Sequence, residues 1–283
     1  MSSNAITQLS GFAHLKDLPC YILSCGQATA VISSYGAHLL SYKPTAEVEV
    51  IYLSPESAWQ NNTPIRGGVP VCWPWFGPVA AEFNPAAQKL PNHGVVRTEL
   101  WQLVTQSVTE AAVSIEFRIE TKALPYSDAP SYLSLTLLLT ETALTLTLNS
   151  DQGLQQAALH SYFNVDSVHQ VSVSPLSGDY LDKVQGGGRF VQPQAELKFT
   201  AEVDRVYLRT ADELTLHQQS TAVQITQQGH DASVLWNPWA EKAAALKDLP
   251  DTGYLDFVCV ETARLELSNI APLQLVQQIR YLA

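Results

Sequence analysis

The chain has 283 residues, 46% of them hydrophobic and 15% charged, which excludes a disordered polyelectrolyte because enough apolar surface can be buried to offset chain ordering. Its 16 Lys and Arg face 27 Asp and Glu, a formal charge of −11, which repels nucleic acid and anionic lipid at long range but leaves room for a small anion held by one or two guanidinium groups. The four cysteines, Cys20, Cys25, Cys72 and Cys259, form no C-x-x-C pair and are too sparse for a disulfide framework, so reduced thiols in a cytoplasm are expected.

In chain order, Met1 to Ser10 shows neither a basic start nor an apolar run, and no secretory signal is read there. A short strand is expected at Tyr21 to Leu23, and a few helical turns at most at Pro55 to Gln60. Val113, Ile115, Phe117 and Ile119 alternate with polar residues, the period of a half-buried strand. Leu133, Leu135, Leu137 and Leu139 precede Thr140 to Thr142, and Leu144, Leu146 and Leu148 follow, which predicts an antiparallel hairpin too interrupted to span a bilayer. Further strands are expected at Val171 to Val173, Leu214 to Leu216, Val223 to Thr226, Val258 to Val260 and Leu265 to Leu267, and a short helix within Glu241 to Leu249. The Gly186 to Gly188 triplet has no helix after it and reads as a tight turn. Strands thus run the whole length without a βα alternation or a linker, which predicts an all-β, single-domain chain over residues 1–283.

Five segments could carry chemistry. In Arg66-Gly-Gly-Val-Pro-Val-Cys-Trp-Pro-Trp-Phe-Gly-Pro78, aromatic rings and one arginine crowd together, either as a rigid core-packing loop or as the wall of a sugar site. Leu90 to Arg97 sets Asn92, His93 and Arg97 around Gly94, as a turn or as converging donors. His160 stands in Ala158 to Val165 among apolar neighbours, as a satisfied core histidine or a functional one. Asp204 opens a strand, and Glu261 closes the apolar strand Phe257 to Val260, where it either points inward for a reason or meets solvent. The seven histidines show no metal-ligand spacing and no G-x-S-x-G elbow occurs; His160 and Ser161, being adjacent, aim to opposite faces of a strand.

Together and in this order, the Arg66–Pro78 run, Leu159-His160-Ser161-Tyr162-Phe163, Trp236-Asn237-Pro238-Trp239 and Val260-Glu261-Thr262-Ala263 resemble the hexose-6-phosphate 1-epimerase branch of the aldose 1-epimerase (galactose mutarotase-like) superfamily, along nearly the whole chain. The resemblance implies a large antiparallel β-sandwich whose concave face holds a sugar. It implies His160 as general acid, Glu261 as general base, His93 as a hydrogen-bonding partner of the sugar near its ring oxygen and Asp204 as a hydroxyl ligand. Arg66 and Arg97 become the partners of a 6-phosphate. Asn92 stands where the family pattern has a glutamine, so its reach to the sugar is shorter by about one methylene. The implied reaction is anomer interconversion of a hexose 6-phosphate, with no cofactor and no metal, by a cytoplasmic monomer. The ordinary charge states of histidine and glutamate near neutrality suit donor and acceptor. A mutarotase for unphosphorylated sugars and a non-catalytic sugar-phosphate-binding protein are the alternatives.

Overall fold

The computed structural model describes residues 4–121, 124–151, 153–176 and 178–283. Among these residues the strands form three antiparallel sheets. The first joins β1 (Ala5–Phe12), β2 (Leu15–Cys25), β3 (Ala28–Ser33) and β4 (His38–Lys43) in sequence order. The second runs β14 (Gly188–Val191), β13 (Asp179–Asp182), β16 (Val203–Leu208), β19 (Ala232–Asn237), β20 (Phe257–Arg264), β10 (Ala157–Leu159), β5 (Val71–Cys72), with β11 (Tyr162–Asn164) also paired to β20. The third is ordered β15 (Leu197–Lys198), β12 (Ser172–Ser174), β17 (Glu213–His217), β18 (Ala222–Gln228), β21 (Leu273–Leu282), β9 (Leu144–Ser150), β8 (Ser131–Leu139), β7 (Val113–Thr121), β6 (Gln102–Val108). The chain is all-β, as the alternation predicts, and its sheets form the sandwich that the resemblance implies.

The leucine hairpin shows why the alternation works. Leu135 pairs with Leu148, Leu137 with Leu146 and Leu139 with Leu144, and every one of these side chains is buried. Burying each is worth roughly 1.5–3 kcal/mol over leaving it in water, so a one-residue slip that turned the face outward would be prohibitive. Strand β20 is buried along its whole length, and its two faces do different things. Val258 and Val260 enter the main core, and Thr262 reaches β18 and β21, whereas Phe257, Cys259 and Glu261 point to the other face.

Three local expectations are corrected. Leu265 to Leu267 is not a strand: the Asp231 carboxylate accepts from the N–H groups of Leu265 (2.7 Å) and Glu266 (2.9 Å), while the Arg264 guanidinium donates to the carbonyls of Asn269, Ala271 and Pro272, so the chain is pulled into a loop. Pro55 to Gln60 is a turn and not helical, because Ser57 Oγ binds both the N–H and the carbonyl of Arg66 instead of its own neighbours. Helix α1 spans Trp239–Ala245 and ends before Leu249; Asn237 Oδ1 accepts from the Trp239 N–H at its start. The Gly186 to Gly188 triplet makes the β13–β14 turn, with Gly186 and Gly187 at φ +75° and +80°. The four cysteines are free and buried, and among the described residues no helix is long and apolar enough to cross a membrane.

A buried polar chain ties the second sheet to the third. Ser161 Oγ donates to Gln277 Oε1 (2.5 Å), Gln277 Nε2 to Thr262 Oγ1 (2.8 Å), and Thr262 Oγ1 to Gln227 Oε1 (2.9 Å). Satisfied, such a chain fixes how the sheets meet; half satisfied, it is a liability. Gln277→Leu is therefore expected to destabilise the protein by about 1–3 kcal/mol per stranded polar group. Urea unfolding measures this, and an unchanged midpoint would count against the chain as a structural tie.

Candidate active site

Two breaks from regular pairing create the site. Strands β10 and β11 both pair with β20, Leu159 opposite Thr262 and Tyr162 opposite Cys259, and the strand is interrupted between them at His160-Ser161 without a change of register. The His160 N–H donates to Pro70 O and the Ser161 carbonyl accepts from Val260 N, which holds the interruption in place. Ser161 then points back to Gln277, as its adjacency to His160 requires, and the imidazole points the other way. There it meets Glu261, which does not close the strand but sits inside β20 opposite Val234, only 1% exposed. His160 Nε2 lies 3.3 Å from Glu261 Oε1.

The second break is the close approach of the 90–97 loop to the Arg66–Pro78 run. Gly94 bridges Trp73 at φ +81°, and a Cβ there would stand 1.8 Å from the Trp73 carbonyl oxygen. This places His93, whose N–H donates to Gly77 O (2.9 Å) and whose Nδ1 accepts from Gly77 N (3.3 Å). With Nδ1 an acceptor, the ring proton is on Nε2. Burial, helped by Arg97, Lys183 and Arg66, pushes the His93 pKa down to about 3, so near neutrality it is a neutral donor. Its ring meets Phe76 and His160 edge-on. Within the Arg66–Pro78 run Trp73 and Trp75 are core, while Phe76 lines the cavity.

All seven residues singled out from the sequence, Arg66, Asn92, His93, Arg97, His160, Asp204 and Glu261, line one cavity of about 580 Å³, within the usual size for small-molecule sites. Asp204 enters from β16, opposite Trp236. Arg66 donates to Tyr162 Oη (3.0 Å) and pairs with Asp248 (3.1 Å), yet its Nε is buried without a hydrogen-bond partner, as is Nε of Arg97. Asn92 is exposed at the edge. The sequence reading missed Tyr162 and Trp236 as site residues, though both stand in the motifs; Tyr162 stacks on His160 at 5.0 Å. It also missed Lys183, whose Nζ lies 4.6 Å over the Phe76 ring and which also lines the cavity. No signal pointed to Lys183: it precedes the glycine turn, and only the pairing of β13 with β16 carries it to the site, where its N–H donates to Asp204 O.

The charge states differ from the ordinary ones. Burial holds Glu261 well above the usual carboxylate range, with Asp204 adding to the effect and Lys183 and Arg97 opposing it. Burial likewise drives His160 well below its usual value, followed by His93, Arg97 and Arg66. The two groups are therefore poised to share one proton rather than to hold opposite charges independently. Cys259 Sγ belongs to the same cluster, with donor atoms of the three residues within 4.8 Å of one another. Burial raises that thiol well above its usual range, so it stays protonated, and Arg66, Arg97 and Lys183 around the same cavity oppose a divalent cation.

Residues 19–272 match the family model described as aldose 1-epimerase. The chain belongs to the aldose 1-epimerase family. A relative from Escherichia coli (strain K12), named "putative glucose-6-phosphate 1-epimerase", is 35% identical over 277 residues, covering 94% of this chain and 91% of that protein. The crystal structure of a "putative mutarotase (YeaD)" from Salmonella typhimurium superposes with a TM-score of 0.85 at 30% identity, covering 98% of this chain and 97% of that one. The galactose 1-epimerase from Lactobacillus acidophilus NCFM shares the fold at 15% identity, with a TM-score of 0.75 over 99% of this chain and 98% of that one. The aldose 1-epimerase fold thus persists where most side chains have changed.

Gly94→Ala tests the loop contact that sets His93. A methyl group in the place of the Trp73 carbonyl, at a φ that L residues avoid, is expected to destabilise the protein by at least about 1–3 kcal/mol. Thermal unfolding followed by tryptophan fluorescence reads this out; a wild-type Tm would mean the loop is not seated as described.

Proposed function

We propose that the chain interconverts the α and β anomers of hexose 6-phosphates, chiefly glucose 6-phosphate, by acid-base opening and closing of the pyranose ring. The observation that carries this reading is the 3.3 Å separation of His160 Nε2 and Glu261 Oε1 in a cavity walled by cations and aromatic rings. The two oxygens that must lose and gain a proton are both bonded to C1. A donor and an acceptor this close together can address both at once.

Glu261 takes the proton from the C1 hydroxyl as His160 gives one to the ring oxygen. The bond from C1 to the ring oxygen breaks, its electron pair going to the oxygen, and C1 becomes an aldehyde. Rotation about the C1–C2 bond presents the other face, and the transfers reverse on closure, which returns both side chains to their starting states. Nothing is oxidised or reduced. His93, neutral and donating from Nε2, stands beside His160 to steady the ring oxygen, and Asp204 holds a hydroxyl. The 6-phosphate is taken by Arg66 and Arg97, both of which line the cavity. Aromatic faces at Phe76 and Trp236 complete a sugar-sized enclosure.

Saturation-transfer NMR on mixed anomers tests the reading. His160→Asn and Glu261→Gln variants are expected to remain folded and to exchange anomers about 10²–10⁴-fold more slowly. Arg97→Ala is expected to weaken the use of glucose 6-phosphate by roughly ten- to a hundredfold, the worth of a hydrogen bond to a charged group, and to lower exchange on glucose by less. Normal exchange in either acid-base variant removes the assignment; equal rates on glucose and glucose 6-phosphate in the wild type would favour an aldose mutarotase without phosphate recognition.

A further inference from the structure

The proposed reaction needs its proton on His160 and its negative charge on Glu261, the reverse of what burial alone favours. What decides the matter is where the other charges stand. Facing His160 are His93 edge-on, Tyr162 stacked on it, Arg66 behind Tyr162 through the 3.0 Å hydrogen bond, Arg97, and Glu261 itself. Glu261 shares its cavity with Arg97, Asp204 and Lys183, whose N–H donates to Asp204 O, and stands near the neutral thiols of Cys259 and Cys72. Arg66 is thus tied to the imidazole through Tyr162, while Lys183 is tied to Asp204.

We infer that the phosphate group of the substrate biases the proton shared by His160 and Glu261 toward His160: seated against Arg66 and Arg97, it adds negative charge on the side of the imidazole, where Arg66 is joined to Tyr162 and paired with Asp248, and leaves Lys183 to the carboxylate. This rests on the reading that the site takes hexose 6-phosphates. The O–H bond at Glu261 breaks and the N–H bond at His160 Nε2 forms, with no other bond changed. A dianion draws the proton toward the nearer of the two groups, and Arg66 marks that group as His160. Substrate connectivity agrees. The ring oxygen is bonded to C5, which carries C6 and its phosphate, so the acid that protonates the ring oxygen belongs on the phosphate side and the base for the C1 hydroxyl belongs away from it. The phosphate is then more than an anchor: a sugar without it meets a pair that lacks this bias, and the discrimination falls on the chemical step.

The test separates the anchor from the charge. Anomer exchange on xylose, a pyranose without C6, is followed in the wild-type protein as phosphite dianion is added, and the imidazole ¹⁵N signals of His160, assigned with His160→Asn, are recorded during the same titration without sugar. Phosphite is expected to speed xylose exchange about tenfold or more, the size of one unit of pKa displacement, and to move the His160 signals toward imidazolium. Phosphite that competes with glucose 6-phosphate but neither accelerates xylose nor moves His160 overturns the inference, as does phosphite that does not bind. The ¹⁵N response is read without turnover, so it tests the proton shift alone. Failure of the wild type to exchange glucose 6-phosphate would instead remove the underlying functional reading.

Discussion

A carboxyl group and an imidazole, both buried, meet 3.3 Å apart at the cavity. Neither tolerates its charged form alone in such surroundings, and each makes the other's charge affordable. That mutual dependence is what a reversible proton exchange requires, since a pair strongly committed to one state would not run equally well in both directions. The contact arises where the strand is interrupted in register between β10 and β11, His160 turning into the cavity to Glu261 and Ser161 turning between the sheets to Gln277.

Strand β20 joins the two halves of this arrangement. Its alternate residues serve the main core and the site, so packing that fixes Val258 and Val260 also fixes the position of Glu261. Charge is distributed in the same economical way. The protein is acidic as a whole, at −11, yet Arg66, Arg97, Lys183 and Lys242 surround one cavity. Over a few ångströms inside a low-dielectric recess, these nearby cations outweigh a net charge spread over the solvated surface. An acidic protein can in this way hold an anionic ligand without attracting polyanions.

Much of this was legible in the sequence, for physical reasons that differ by residue. Period-two burial marks Leu133 to Leu148 because one sheet face must be dry and the other need not be. The motifs carried His160 and Glu261, but composition alone left each of them ambiguous, since an inward strand position and a strand end read alike until the pairing of Glu261 with Val234 is known. Leu265 to Leu267 misled because local apolar content carries no notice that Asp231, some thirty residues earlier, captures the backbone donors a strand would use. Lys183 was invisible because its place in the site comes from the pairing of β13 with β16, and no spacing near a glycine turn encodes that. The charge states were misjudged for a similar reason: ordinary values apply in water, and the burial that displaces them is a property of the assembled sheets.

A pyranose bound here lies against both side chains at once, its ring oxygen toward His160 and O1 toward Glu261. A crystal structure of the Glu261→Gln protein with glucose 6-phosphate shows whether it does. The ring oxygen is expected within hydrogen-bond distance of His160 Nε2, O1 beside the side chain at position 261, and the phosphate against Arg66 and Arg97. A sugar lying reversed, with its phosphate beside residue 261, or seated outside this cavity, would contradict it.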